Sequence, residues 1–234
     1  MKTFGLSDIG CVRKKNEDRH IIKKMPGGSV LIAVADGLGG EVAGDRAAEI
    51  AIETLTGLRP GSNDIEKSLD YLVKEADLTI LKEVEKDTSL AGMSTTVTGT
   101  LIDNGNAYWV HVGDSRLYKL RDQKFIQITK DHNLAQFLIE EGEITKEQAR
   151  KHPTRHYLYQ CVGCGGCCPD TGHMTVKNGD LLVHTTDGLN EVPADTMTSI
   201  LNSTDDIEAK VNSLIQAAPD EGGKDNITVV IAEI

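Results

Sequence analysis

Read for its apolar pattern, the chain is punctuated by two runs of the same shape. Val30–Ala35 contains no polar side chain, stops at Asp36, and is followed by glycines at 37, 39 and 40. Leu181-Leu182-Val183-His184-Thr185-Thr186 likewise stops at Asp187-Gly188-Leu189. Each reads as a buried strand that delivers a carboxylate to its C-terminal tip, with glycine leaving the backbone open to close approach. Other elements follow from period and punctuation. Extended segments are predicted over 5–13 and 18–25 around a turn at Lys15-Asn16, with Pro26-Gly27-Gly28 turning into the first apolar run. A helix is predicted over 45–55 and a loop over 57–63. A long helix follows over 65–85, its stripe being Ile65, Leu69, Leu72, Ala76, Ile80 and Val84. Strands over 94–102, 107–112, 117–120 and 125–129, with Asn104-Gly105-Asn106 as the first turn, predict a four-strand meander cornered at Asp114.

Residues 131–168 differ in character. Short helices are predicted over 133–141 and 145–151, the second opened by a Thr145…Gln148 capping box. His152-Pro153 then breaks the chain before a cysteine-rich stretch. A strand over 181–186, one or two helices within 196–217 and a last strand over 228–233 complete the pattern. Strands and helices come in blocks rather than in strict alternation, which predicts an α+β layered fold. With no internal repeat and no low-complexity linker, residues 1–234 read as one domain and 131–168 as an insertion over a site.

Composition narrows the function classes. No apolar run reaches the roughly 20 residues that span a bilayer, and the opening Met1-Lys2-Thr3-Phe4-Gly5 lacks a signal-peptide core, so a cytoplasmic location without membrane attachment is expected. A net charge of −11 argues against nucleic acid as a partner and suits a protein that holds divalent cations. Arg13-Lys14-Lys15 and Lys23-Lys24 make the N-terminal segment locally basic, either an anion-facing patch or a solvated surface. Of five cysteines, Cys161, Cys164, Cys167 and Cys168 sit within eight positions, unlike the spread pattern of a disulfide-stapled secreted domain.

The chemistry-bearing residues are aspartates beside glycine at predicted strand ends: Asp36, Asp114, Asp187 and Asp225, with Asp18 nearby in Asn16-Glu17-Asp18. A short, rigidly aimed carboxylate at a strand tip can share hard cations such as Mg²⁺ or Mn²⁺. Any one of them alone is more readily an Asp-Gly turn than a ligand; the repetition of one context is what points to a cluster. The motifs Ser7-Asp8-Ile9-Gly10-Cys11-Val12-Arg13, Ala35-Asp36-Gly37-Leu38-Gly39-Gly40, Gly92-Met93-Ser94-Thr95-Thr96, Gly113-Asp114-Ser115-Arg116, Asp131-His132, His152-Pro153, Thr186-Asp187-Gly188-Leu189 and Asp225-Asn226-Ile227-Thr228-Val229 occur in the order found in metal-dependent serine/threonine protein phosphatases. The whole chain resembles the small bacterial members of that family (PPM, type 2C).

The resemblance implies a four-layer α-β-β-α sandwich, two packed antiparallel sheets flanked by helices, with residues 131–168 as a helical flap. It implies hydrolysis of phosphoserine and phosphothreonine on proteins by a metal-bridging hydroxide, without a phosphoenzyme. Two, or with a third site three, Mn²⁺ or Mg²⁺ ions are expected. Asp36 would bridge two of them and the Gly37 carbonyl would bind one. Asp187 and Asp225 would hold the first, Glu17 and Asp18 would lie by the second, and Asp114 with Asp187 matches the third. Arg13 matches the arginine that grips the substrate phosphate, its fork suiting two oxygens. Phosphoproteins and a cognate serine/threonine kinase are the implied partners, and a monomer is expected.

Two features depart from the family pattern. Leu38 stands where many relatives have a histidine suggested as general acid, leaving a metal-bound water, His132 or His156 for that role. Cys161-x2-Cys164-x2-Cys167 has the spacing of a zinc or iron–sulfur half-site, with Cys168 or His173 available as a fourth ligand. The plainer alternative is a Gly/Cys-rich turn, with redox modulation as a further possibility; Cys11 reads as a small core residue. No Cys-x5-Arg loop and no G-x-x-x-x-G-K-[ST] is present, which argues against cysteine-nucleophile phosphatases and nucleotide-driven transfer. A catalytically weak binding module on the same scaffold, or a hydrolase of small phosphoesters, stays open on sequence alone.

Overall fold

The computed structural model describes residues 1–38, 43–61, 64–220 and 224–234. The expectations for Gly39, Gly40, the end of the 57–63 loop and Gly222-Gly223 therefore lie outside the described residues. Two five-stranded antiparallel sheets form the centre. In the first, β1 (Lys2–Asp8) lies at one edge, followed by β12 (Ile227–Glu233), β11 (Leu181–Thr185), β8 (Arg116–Arg121) and β9 (Lys124–Gln127). In the second the order is β10 (Asp170–Thr175), β7 (Asn106–Val112), β6 (Val97–Asp103), β3 (Val30–Ala35) and β2 (Arg19–Lys24). A two-stranded ladder joins β4 (Gly37–Leu38) to β5 (Ser94–Thr95).

The all-apolar β3 and the largely apolar β12 are explained by having two buried faces. Along β3, Leu31, Ala33 and Ala35 face the helices α1 (Gly44–Leu55) and α2 (Ile65–Lys86), while Val30, Ile32 and Val34 face the opposite sheet. Along β12, Ile227, Val229 and Ile231 face α5 (Ala194–Leu201) and α6 (Ile207–Asp220), while Val230 and Ala232 face inward. The result is the four-layer α-β-β-α sandwich. Burying each large apolar side chain contributes roughly 1.5–3 kcal/mol. Among the described residues no helix is long and apolar enough to cross a membrane.

Several expectations shift in detail. The predicted meander is split: β6 and β7 belong to one sheet, β8 and β9 to the other. The chain changes sheet at Gly113-Asp114, a long-range placement that local alternation does not encode. The predicted strand over 94–102 breaks at Thr96, between β5 and β6. Strand β10 has no counterpart among the predicted elements; its half-exposed residues gain their place by pairing with β7. Cys11 is a correction. It is exposed, because β1 ends at Asp8 and an Asp8 side chain accepting from the Gly10 N–H (2.7 Å) turns the chain outward.

Within 131–168 the helices are α3 (Leu134–Glu140), capped by the Asn133 side chain, and α4 (Lys146–Ala149), whose Thr145–Gln148 capping box is present. The segment is tied to the sheets by Arg116, which grips Asp131 through two nitrogens (2.9 and 2.6 Å).

Candidate functional site

Antiparallel register brings the aspartates to one end of the sandwich. In the second sheet Arg19 pairs with Ala35 and Val97 with Val112, so the start of β2 and the ends of β3 and β7 share an edge. Asp18, Asp36 and Asp114 sit there. In the first sheet Thr185 pairs with both Val229 and Arg116, which puts Asp187 and Asp225 at the corresponding edge. Each sheet thus contributes part of the cluster, and packing of the sheets closes it.

Asp36, Asp18 and Asp114 are buried and Asp187 half-buried, and each is pushed above the usual carboxylate range. For Asp36 the cause is burial first, then the neighbouring charges of Asp187, Asp18, Asp114 and Asp225, and the shift is large. Burial also lifts Asp114, with Asp187 and Asp131 adding and Arg116 opposing. Asp187 rises to about 6 through burial and Asp225, held back by a hydrogen bond with Asp36. Asp18 rises to about 7 through burial, although its Oδ2 accepts from Thr228 Oγ1 (2.6 Å) and Thr186 Oγ1 (2.7 Å). Glu17 is raised by burial, with Lys15 and Arg13 opposing. A self-repelling buried cluster of this kind is relieved by a cation.

The donor atoms suit one. Glu17 Oε1, Asp18 Oδ1 and Asp187 Oδ1 are buried carboxylate oxygens without any hydrogen-bond partner among the described residues. An unpartnered buried charge is costly, so three together mark a place built for a positive ligand. The carboxylates converge without closing: among the described residues no three are already arranged around an ion-sized space. Arg13 is one reason. Its Nη2 donates to Asp225 Oδ2 at 2.7 Å, drawing that carboxylate to the rim. The arginine expected to face substrate phosphate is here paired with an expected ligand.

Glycine serves the site through sterics. A Cβ on Gly37 would overlap the Gly44 carbonyl group and approach the Glu17 carbonyl oxygen at 2.8 Å. The strand tip bearing Asp36 is therefore pressed against the first turn of α1 and the acidic Glu17 segment. Gly188 has the same relation to the Asn226 carbonyl.

Sequence reasoning missed the supports. Asn226 accepts from the Glu17 N–H (2.9 Å) and donates to the carbonyls of Ile9 (2.9 Å) and Lys15 (3.0 Å), stapling the 9–17 segment to β12. With the Thr228 hydroxyl proton given to ionised Asp18, the Ser7 hydroxyl (2.7 Å) must donate to Thr228, and Asn16 in turn donates to Ser7 (2.8 Å). Thr186 and Thr228 lay inside quoted motifs, yet nothing in the sequence aimed both at Asp18. Of the general-acid candidates, His132 is buried, its Nδ1 accepting from the Gly113 N–H (3.3 Å), and is thus bound to the backbone beside Asp114. His156 lies near enough to Asp187 to lower its pKa. Cys161 and Cys164 are joined in a disulfide, Cys167 is buried and Cys168 exposed, so the cysteine half-site is not assembled.

Residues 12–228 match the family described as Protein phosphatase 2C. The chain belongs to the protein phosphatase 2C family. It is 36% identical over 231 residues to the serine/threonine protein phosphatase PstP of Mycobacterium tuberculosis, with 97% of this chain matched and 44% of that protein. It thus spans less than half the length of that relative. Against the serine/threonine phosphatase stp of Listeria monocytogenes the identity is 34% over 235 residues, covering 97% of this chain and 93% of that one. A crystal structure of the PstP catalytic domain in complex with two manganese ions superposes with a TM-score of 0.88 at 34% identity, covering 99% and 97% of the two chains. The sandwich is that of a family fold.

Proposed function

We propose that this chain is a Mn²⁺- or Mg²⁺-dependent protein phosphatase acting on phosphoserine and phosphothreonine. The observation that carries the reading is the convergence of Asp18, Asp36, Asp114, Asp187 and Asp225 at one end of the sandwich, with buried unpartnered oxygens and Arg13 at the rim. The manganese pair of the PstP catalytic domain supports the choice of cation. Asp36 would be shared by two ions, with the Gly37 carbonyl on one. Asp187 and Asp225 would complete the first, Glu17 and Asp18 would stand by the second, and Asp114 with Asp187 would offer a third place. When bound, the ions would acidify a water to make the nucleophile and neutralise the phosphoryl oxygens.

This chain's own groups do the rest. Thr186 and Thr228 hold Asp18 with one oxygen aimed inward. Arg13 can leave Asp225 for the substrate phosphate, to which its planar fork offers two parallel hydrogen bonds, freeing Asp225 for a cation. Hydrolysis would be direct, by the ion-activated water, without a phosphoenzyme. The single domain 1–234 would carry residues 131–168 as a flap, act in the cytoplasm as a monomer, and reverse a cognate serine/threonine kinase. The test is hydrolysis of p-nitrophenyl phosphate and a phosphothreonine peptide with and without Mn²⁺. Wild type should require the metal, and Asp36→Asn should lose on the order of 10³-fold in kcat. Metal-independent turnover, or a fully active Asp36→Asn, refutes the mechanism.

A further inference from the structure

The cysteine-rich loop is built against β5, the partner of the short strand that follows Asp36. Val162, fully buried between Cys161 and Gly163, exchanges two backbone hydrogen bonds with Thr95: Val162 N–H to Thr95 O at 2.8 Å and Thr95 N–H to Val162 O at 2.9 Å. Thr95 in turn pairs with Gly37 across the β4–β5 ladder, and its hydroxyl donates to the Asp36 carbonyl at 2.8 Å. The next residue, Thr96, gives the same carbonyl its N–H at 2.9 Å. Two hydrogen-bonded steps therefore separate the loop from the Asp36-Gly37 tip.

The other side of the loop is anchored on α2. Asp77, only 3% exposed, receives the N–H groups of Gly163 (2.6 Å), Gly165 (3.2 Å) and Gly166 (3.0 Å). Such a nest of N–H groups around one buried carboxylate requires the tight path that residues 161–166 take. The Cys161–Cys164 bond, with Cα atoms 5.8 Å apart, closes that path across its middle. Cys164 is exposed, so a reductant can reach the bond. Cys167 is buried, and burial pushes its thiol up to about 12, which keeps it out of exchange at neutral pH.

We propose that Cys161–Cys164 is a thiol–disulfide exchange site that sets how firmly the loop holds Thr95, and through Thr95 the Asp36-Gly37 tip. The exchange partner is a dithiol, such as a small redox protein with a Cys-x-x-Cys site. One of its thiolates attacks Cys164 Sγ, forming a mixed disulfide and releasing Cys161 as a thiolate, which takes up a proton. The dithiol's second thiolate then displaces Cys164, which is likewise protonated. Two electrons pass from the dithiol, which becomes a disulfide, to the protein, which gains two thiols. In a reducing compartment a reachable pair of this kind is exchangeable rather than a permanent staple. The disulfide form is the tight one; reduction frees the 161–164 path and loosens the Val162–Thr95 ladder.

The inference rests on the phosphatase reading only for its effect on activity, and the experiment separates the two. The full chain is prepared oxidised and after dithiothreitol, and thiols titrated in denaturant should rise from three to five. Amide hydrogen exchange at Val162 and Thr95 should then be several-fold faster in the reduced form, and the Mn²⁺ needed for half-maximal p-nitrophenyl phosphate hydrolysis should rise several-fold. The double variant Cys161→Ser/Cys164→Ser should match the reduced form and ignore dithiothreitol. Equal exchange rates in the two redox forms overturn the proposal, as does a dithiothreitol response that persists in the double variant. If no preparation hydrolyses phosphate, the functional reading fails while the exchange rates still decide this one.

Discussion

The two Asp-Gly-Leu tips look alike in sequence and differ in what surrounds them. Asp36 ends a strand with no polar side chain, β3 of the second sheet, and its carboxylate lies among four others. Asp187 follows β11 of the first sheet, where His184 and Thr185 break the apolar run. Both tips put a glycine where a side chain would strike backbone, against Gly44 for one and Asn226 for the other. The neighbours fall unequally: both carboxylates are held above the usual range by burial, but four others add to the rise at Asp36 and chiefly Asp225 at Asp187. The lesson is that the tips are not duplicates. The first is the centre of the cluster, and the second is one side of it.

The largest expected difference is catalytic. Asp36→Asn should cost on the order of 10³-fold, and Asp187→Asn less, because fewer charges depend on it. Next come the glycines. Gly37→Ala and Gly188→Ala should each destabilise by on the order of 3 kcal/mol or more, since the obstructing atoms are backbone and cannot rotate away. Thermal unfolding measures this, and a variant that melts as wild type would show that its tip is not pressed as described.

How much of this was legible in the chain depends on range. The stripe from Ile65 to Val84 and the Thr145 capping box are local signals, and both elements formed. The aspartates were legible because each repeats one local context. The sheet change at Gly113, the pairing of β10 and the aim of Thr186 and Thr228 at Asp18 are set by long-range packing, so period and propensity do not carry them. The three glycines of 163–166 signalled an unusual turn, yet only the fold shows that Asp77 is the carboxylate it wraps.

A smaller effect tests Arg13, which touches the Asp187 side of the site through Asp225. Arg13→Lys keeps the charge and loses the fork, so kcat/KM should fall roughly tenfold, mostly through KM. An unchanged KM would separate Arg13 from substrate binding.

The smallest effect distinguishes the strands themselves. At the third position before its aspartate, β3 has Ala33 and β11 has His184, buried between the sheets with Nε2 2.8 Å from Thr100 Oγ1. Burial holds its imidazole down at about 3. A histidine whose folded pKa is depressed contributes fully above its unfolded value near 6.5, and that contribution is lost as pH falls toward 3. Between pH 8 and pH 5 the loss from His184 should be about 2 kcal/mol. Urea unfolding at the two pH values should show a correspondingly smaller drop in His184→Gln; an equal drop would mean that the ring is protonated inside the fold.

In the mechanism proposed here Asp36 would be shared by two cations, whereas Asp187 would serve the first and, with Asp114, an additional place. Calorimetric titration of Mn²⁺ into wild type, Asp36→Asn and Asp187→Asn tests it most directly. Wild type should bind two ions tightly, Asp36→Asn none with wild-type affinity, and Asp187→Asn one. Two tight ions in Asp36→Asn would contradict it.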